Sequence, residues 1–375
     1  MKKIFSFFSG AGFLDLGFES AGFETVYVNE NHKPFLESYI YARRFLDIPT
    51  PKYGYNYVGI EGLDCDEIRA QIELEWEKGA KVGFIGGPPC PDFSVGGKNK
   101  GKLGKNGILS EVYVDKIVSA EPDFFLFENV KGLWRTKKHR EFFEKLKAKL
   151  SKKYFLENRL VNSLQYGAPQ DRDRIILIGF HKRFKQKIEL DWQGVRYPDR
   201  TAFDFPWPKQ NKFAPKESTK CPAEIPQELT VQFWFERNGV GTHPNSKDRF
   251  KPRAGLSKFL IIEEGDVSKK SYKRLHRWRY SPTVAYGNNE VHLHPFEARR
   301  ISVAEALALQ SLPKEFSLPP WLTLSNKFKT IGNGVPFLLA LGLAKTIEIG
   351  LEYYESESYC NSREFGKNHQ ATAAE

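Results

Sequence analysis

The chain has 375 residues, enough for one large domain or two smaller ones around a substantial core. Apolar residues make up 40% and charged residues 27%, as in an ordinary globular protein, and the formal net charge is +11. The charge is uneven: residues 182–279 hold 22 Lys and Arg against 12 Asp and Glu, which suits a polyanion partner, although a solvated basic face would look the same. The start, Lys2-Lys3 before Ile4-Phe5-Ser6-Phe7-Phe8, fails as a signal peptide because Gly10, Gly12, Asp15 and Glu19 break its apolar core. No run is expected to be long and apolar enough to span a membrane. Cys65, Cys90, Cys221 and Cys360 are scattered, so neither a disulfide framework nor a metal site is expected, and a reduced, cytoplasmic setting is the simplest expectation.

Residues 3–8 predict a strand, Ser9-Gly10-Ala11-Gly12 a turn, and 13–21 a helix closed by Gly22. Glycines in such a turn let backbone approach a ligand at a helix start, but Asp15 stands where a dinucleotide fingerprint has its third glycine, and an ordinary tight turn fits equally well. A second strand, 25–29, ends at Glu30, where nucleotide-type cofactors have their ribose hydroxyls held; a helix-start acid before Pro34 is the plainer alternative. A helix over 34–46 and a strand near 57–60 lead to Asp64-Cys65-Asp66. Asp64 is placed to bind a base amino group and Asp66 to cap a helix over 67–76.

The apolar run 82–85 predicts a buried strand that stops abruptly at Gly86-Gly87-Pro88-Pro89-Cys90-Pro91-Asp92-Phe93-Ser94. A cysteine in a loop at a strand's carboxyl end is a candidate nucleophile, whereas an isolated free cysteine is more often a packing residue. The Gly- and Lys-rich segment 96–107 reads as a cationic lid over a phosphate backbone, or as a plain surface loop. A helix over 108–120 and a strand over 123–127 lead to a loop at Glu128-Asn129-Val130; a helix near 139–150 and a strand near 154–162 follow. Gln170-Asp171-Arg172-Asp173-Arg174 precedes a strand over 175–180, and arginines at i and i+2 of an extended segment point the same way. Residues 182–290 are basic, Pro-rich and irregular, with Trp192, Trp207, Trp234 and Trp278, a mixture that suits groove and base contacts or simply aromatic packing of short elements. Regular structure is expected again at 302–312, and Gly332-Asn333-Gly334-Val335-Pro336 opens an apolar helix over 337–353 before a polar tail expected to fray.

Together these pieces resemble the DNA (cytosine-5) methyltransferase family, in the family's usual order from Phe5 to Glu352. Phe8-Ser9-Gly10-Ala11-Gly12 resembles its S-adenosylmethionine turn and Pro88-Pro89-Cys90 its nucleophile loop. Glu128-Asn129-Val130, Gln170-x-Arg172-x-Arg174, Arg300-Ile301-Ser302-Val303-Ala304-Glu305 with Gln310 and Pro313, and Gly332-Asn333-Gly334-Val335 resemble four further motifs. The departures are Pro91 where glutamine is common, Gly334 where serine is common, and Asn31 where an aromatic often backs the adenine, a place Phe8 or His32 could fill.

The resemblance implies an α/β fold: a Rossmann-like, doubly wound, mostly parallel sheet with a smaller irregular target-recognition domain. It divides the chain into a catalytic and cofactor-binding domain at 1–181, a recognition domain at 182–298, a return to the catalytic domain at 299–353 and a tail at 354–375. It implies Cys90, Glu128, Arg172 and Arg174 as catalytic residues, and Phe8, Gly10, Gly12, Glu30, Asp64, Asn333 and Val335 around S-adenosylmethionine. The implied substrate is double-stranded DNA and the implied state a monomer. The compact form is that of a bacterial restriction–modification enzyme with a companion restriction endonuclease. The rivals are a transfer-RNA methyltransferase, disfavoured by the long segment between Arg174 and Arg300, a silent DNA-binding relative, and a nicotinamide dehydrogenase.

Overall fold

The computed structural model describes residues 1–89, 105–215, 219–252, 256–269, 271–284 and 292–370, with backbone alone at 105–106 and 355–370. The first half of the chain alternates strands and helices: β1 (Lys2–Phe7), α1 (Phe13–Ser20), β2 (Glu24–Asn29), α2 (Lys33–Phe45), β3 (Tyr55–Asn56), α3 (Cys65–Trp76), β4 (Lys81–Gly86), α4 (Lys105–Ala120), β5 (Phe124–Val130), α5 (Gly132–Arg135), α6 (Lys137–Leu150), β6 (Tyr154–Asn162), β7 (Gln170–Asp171) and β8 (Asp173–His181). Seven strands form one sheet in the order β3-β2-β1-β4-β5-β8-β6. The strands from β3 to β5 pair in parallel, and β8 runs antiparallel to both β5 and β6.

Both faces of the sheet are covered, which is why its strands read as nearly unbroken apolar runs. Side chains alternate with the period of two that a strand imposes. Phe5, Phe7, Phe84, Phe125 and Phe127 meet Ile72 of α3, Tyr113 and Ile117 of α4 and Phe143 of α6 on one face. Ile4, Ile85, Phe124, Leu126, Ile176 and Ile178 meet Leu14 and Phe18 of α1 on the other, together with Leu339, Leu343 and Ile347 from the chain's last helix.

Residues 182–298 have little ladder structure. Its elements are α7 (Val231–Arg237), α8 (Leu256–Ile261), β9 (Lys273–Arg274), β10 (Ser281–Pro282) and β11 (His292–Leu293). β9 pairs with β11, and β10 with β7. Side chains therefore satisfy buried carbonyls that a sheet would otherwise pair. The fully buried Arg274 donates to the carbonyls of Ile262 (2.8 Å), His294 (2.5 Å), Glu297 (3.0 Å) and Phe259. Arg277 grips Glu264 through Nε and Nη2 at 2.8 and 2.9 Å. The chain closes with α9 (Val303–Leu309), whose Ser302–Glu305 capping box fixes its start, then α10 (Leu324–Asn333) and α11 (Phe337–Gln370).

Several expectations shift. The strand expected near 57–60 is Tyr55–Asn56, because the Asn29 side-chain amide takes the carbonyls of Asn56 and Val58 where β2 runs out. Asp64 rather than Asp66 caps α3, since Asp64 Oδ1 accepts from the backbone N–H groups of Asp66 and Glu67. The strand expected to end at 127 continues to Val130, so Glu128 lies within β5 and faces Ile176 across the ladder. The tail expected to fray continues α11 to Gln370, and α10 was not anticipated. The stretch Leu324–Tyr354 does pass for a membrane span by length and composition, contrary to expectation, but its most apolar part is 61% buried inside the protein.

Candidate functional site

In an open α/β sheet, ligands collect at the carboxyl ends of the strands where the strand order reverses. Here that point lies between β1 and β4, because the chain passes from β1 outward to β2 and β3, then back across β1 to β4 and β5. The glycine turn leaves β1 at this edge, Glu30 follows β2, the loop toward Cys90 leaves β4, and Glu128 stands near the end of β5.

The turn is wound left-handed at Phe8 (φ 53°), Gly10 (58°) and Gly12 (76°). Its Gly10 N–H donates to Glu30 Oε2 at 2.9 Å, and the His32 N–H donates to Glu30 Oε1 at 2.8 Å. Burial raises the Glu30 pKa, while these two donors oppose the rise. Each carboxylate oxygen keeps a second lone pair, so the acid fixed by the turn can still accept a diol. A Cβ built on Gly10 would meet nothing within 4 Å, so this part of the turn faces open space. Beneath it, buried Asp15 accepts from Ser6 Oγ and Tyr39 Oη, both at 2.9 Å. Phe8 stands edge-on to Tyr113, with ring centres 6.0 Å apart. Asn31 is exposed, whereas the His32 ring lies 4.1 Å from that of Phe35.

Asp64 is exposed, and its capping bonds both reach Oδ1. Asn333 is exposed at the last residue of α10, while Val335 is buried where α11 begins. Gly334 between them has no room for a side chain, because a Cβ would lie 2.0 Å from the Phe13 ring. The departure from serine at 334 thus goes with the phenylalanine at 13.

Glu128 is buried, and its Oε1 lies 2.5 Å from Arg174 Nε. The contact is an ion pair without a hydrogen bond: the buried Nε–H makes no hydrogen bond to the protein, while Nη1 donates to the Asp173 carbonyl at 2.8 Å. The neighbouring Asn129 Nδ2 reaches the Pro88 carbonyl at 3.4 Å. Cys90, Pro91 and the segment 96–104 lie outside the described residues.

The two arginines do not share a direction. Arg172 lies in the break between β7 and β8, is fully buried, and donates from Nη2 to the Gly332 carbonyl at 2.7 Å. Gln170 beside it is a hub that the sequence motif named without a role. Its Oε1 accepts from the Val284 N–H (3.2 Å) and Arg172 Nη1 (3.4 Å), and its Nε2 donates to the Leu309 carbonyl (3.0 Å). Gln310 continues the link to the Ile331 carbonyl at 2.6 Å. The structure thus gathers Glu128 with Arg174 and Glu30 with Gly10, and ties Arg172 to the strand of backbone that leads into Asn333.

Sheet order, glycine turn and strand-end acids define an α/β methyltransferase. A family model for the C-5 cytosine-specific DNA methylases matches residues 2–348, and the chain belongs to that family. It is a DNA cytosine-5 methyltransferase. The Type II methyltransferase M.NmeDI of Neisseria meningitidis serogroup C is 58% identical over 94% of this chain and 85% of its own length. The Type II methyltransferase M.MthTI of Methanothermobacter thermautotrophicus is 29% identical over 93% and 98%. Among crystal structures, an E. coli prophage protein described as a DNA modification methyltransferase superposes with a TM-score of 0.66 at 21% identity, covering 94% of this chain and all of that one. S. pombe Dnmt2 gives 0.58 at 13% identity, over 92% and 98%. At such identities these two bear on the fold alone.

Proposed function

We propose that the chain methylates C5 of a flipped-out cytosine in one short sequence of double-stranded DNA, through a transient bond between Cys90 Sγ and C6 of the base. The observation that carries this is the buried Glu128–Arg174 pair at the strand edge from which the Cys90 loop departs.

The chemistry sets what the residues must do. Cytosine C5 is a poor nucleophile until a thiolate adds to C6, and that addition needs the ring to be polarised at N3. Protonated Glu128 would donate to N3, and the Arg174 guanidinium beside it suits the developing charge near the carbonyl oxygen of the base. Bound at the turn, S-adenosylmethionine supplies the electrophilic methyl group. Loss of the C5 proton then expels Cys90 and restores the ring. Gly10, Glu30 and the open space beside them fit the cofactor's ribose; Phe8, Gly12, Asp64, Asn333 and Val335 are assigned to the same site. Arg172 acts here as a positioning residue through Gly332. The target must leave the duplex, since methyltransferases cannot reach this atom inside it.

DNA reading is assigned to residues 182–298, within the catalytic frame of 1–181 and 299–353. Arg274 and Arg277 are consumed by the segment's own packing, whereas Lys209, Lys212, Lys247, Arg249 and Lys251 are exposed and available to phosphates. The Type II names of the relatives support a companion restriction endonuclease whose cuts this methylation prevents. Bisulfite sequencing of DNA from cells expressing the chain, beside a Cys90→Ser control, tests the proposal. Protected cytosines should recur at one short motif with the intact chain alone; methylation that persists in Cys90→Ser would overturn the covalent mechanism.

A further inference from the structure

The two glycines of the cofactor turn face different things. A side chain on Gly10 would point into open space, but a Cβ on Gly12 would lie 2.4 and 2.6 Å from Arg43 Nη1 and Nη2, and 2.5 Å from the Tyr39 ring. Arg43 comes from α2 and is 3% exposed. Its Nη1 donates to the Ala11 carbonyl at 3.3 Å, and its Nη2 to the Gly12 carbonyl at 3.2 Å and to Glu19 Oε2 at 3.1 Å. Its guanidinium lies 3.6 Å from the centre of the Tyr39 ring, and the Tyr39 hydroxyl holds Asp15.

A buried arginine is a costly way to fill a core position, and replacing a whole buried ion pair with apolar residues is often neutral or stabilising. What an apolar residue cannot do is bind two successive carbonyls of a left-handed turn. Those carbonyls belong to the residues just after Gly10, whose N–H must keep its aim at Glu30.

We propose that Arg43 is a positioning residue for S-adenosylmethionine: it braces the glycine turn from below, and Gly12 is glycine both to hold its left-handed φ and to admit the guanidinium. The proposal rests on the turn being the cofactor site. It separates the turn's two glycines by function, Gly10 for the ligand side and Gly12 for the brace.

The test uses the full chain with Arg43→Met, Arg43→Lys and Gly12→Ala. Calorimetry gives the Kd for S-adenosylmethionine, a DNA shift assay the Kd for duplex, and steady-state kinetics the kcat at saturating cofactor. Arg43→Met should weaken cofactor binding about tenfold or more, with DNA affinity and saturated kcat changed less than about threefold. Arg43→Lys, which keeps charge without the fork, should recover part of the loss, and Gly12→Ala, which drives a Cβ toward the guanidinium, should also weaken cofactor binding. A folded Arg43→Met or Arg43→Lys protein with wild-type cofactor affinity overturns the proposal, as does an equal loss of cofactor and DNA binding. Should Arg43→Met not fold, Arg43→Lys decides. If the wild-type chain itself binds no S-adenosylmethionine, the cofactor assignment fails and takes the brace with it.

Discussion

Arg174 meets Glu128 because β8 runs against β5: the start of one strand is laid beside the end of the other, with Arg174 opposite Val130 and Ile176 opposite Glu128. An acid and a cation far apart in sequence therefore reach the same carboxyl edge that holds the glycine turn. Glu128→Gln keeps the shape and removes the proton. It should lower kcat by roughly 10²–10⁴-fold, as loss of a general acid does, with little change in the Kd for S-adenosylmethionine. Equal damage to both would make Glu128 a structural residue.

Gly87 sets where that carboxylate can sit. A Cβ at 87 would lie 2.6 Å from Glu128 Oε2, the movable end of a side chain. Gly87→Ala should therefore cost little stability while displacing the acid, and a fall in kcat of about tenfold to a hundredfold is expected at a nearly unchanged melting temperature. A fully active Gly87→Ala enzyme would show that the acid's position is not so restricted.

Asp15 makes stability depend on pH. Burial lifts its pKa from 3.8 to about 6, and Arg43, Ser6 and Tyr39 oppose the rise while Glu19 adds to it. A raised carboxyl pKa means the folded state holds the proton more tightly. This group's contribution is thus complete below about pH 4 and is lost as pH climbs to about 6, by roughly 3 kcal/mol. Denaturant midpoints across that interval should fall more steeply for the wild type than for Asp15→Asn; identical slopes would refute the shift.

Phe13 and Gly334 should behave as one unit. Gly334→Ser forces a side chain into the Phe13 ring and should cost about 1–3 kcal/mol, and the same change should cost far less in a Phe13→Ala background, where the ring is gone. Additive effects in the double mutant would mean the contact is not the cause.

Much of the sheet was legible because strands buried on both faces show as apolar runs, and the candidate site because its residues follow those runs. What stayed hidden depends on partners remote in sequence. Glu128 looked like a loop residue, since nothing local says that β8 extends the ladder of β5 to Val130. Arg172 and Arg174 have the spacing of one strand face, but Arg172 falls in a break, and its carbonyl partner lies at Gly332. Arg43 left a trace that could have been read: it falls on the helical stripe of Leu36, Tyr39 and Ala42, so a charge on the buried face of α2 was visible in the spacing.

The last helix packs against the first. Gly17 of α1 admits Ala340 of α11 so closely that a Cβ there would sit 2.5 Å from the alanine's own. One face of the sheet rests on Leu339, Leu343 and Ile347, which the ribosome adds after the whole of residues 182–298. A growing chain thus carries its glycine turn without the helix that backs it, and its apolar face stays uncovered until synthesis nears its end. Residues 182–298 are therefore made before that face of the sheet can be covered, so a chain interrupted among them is left with the face bare.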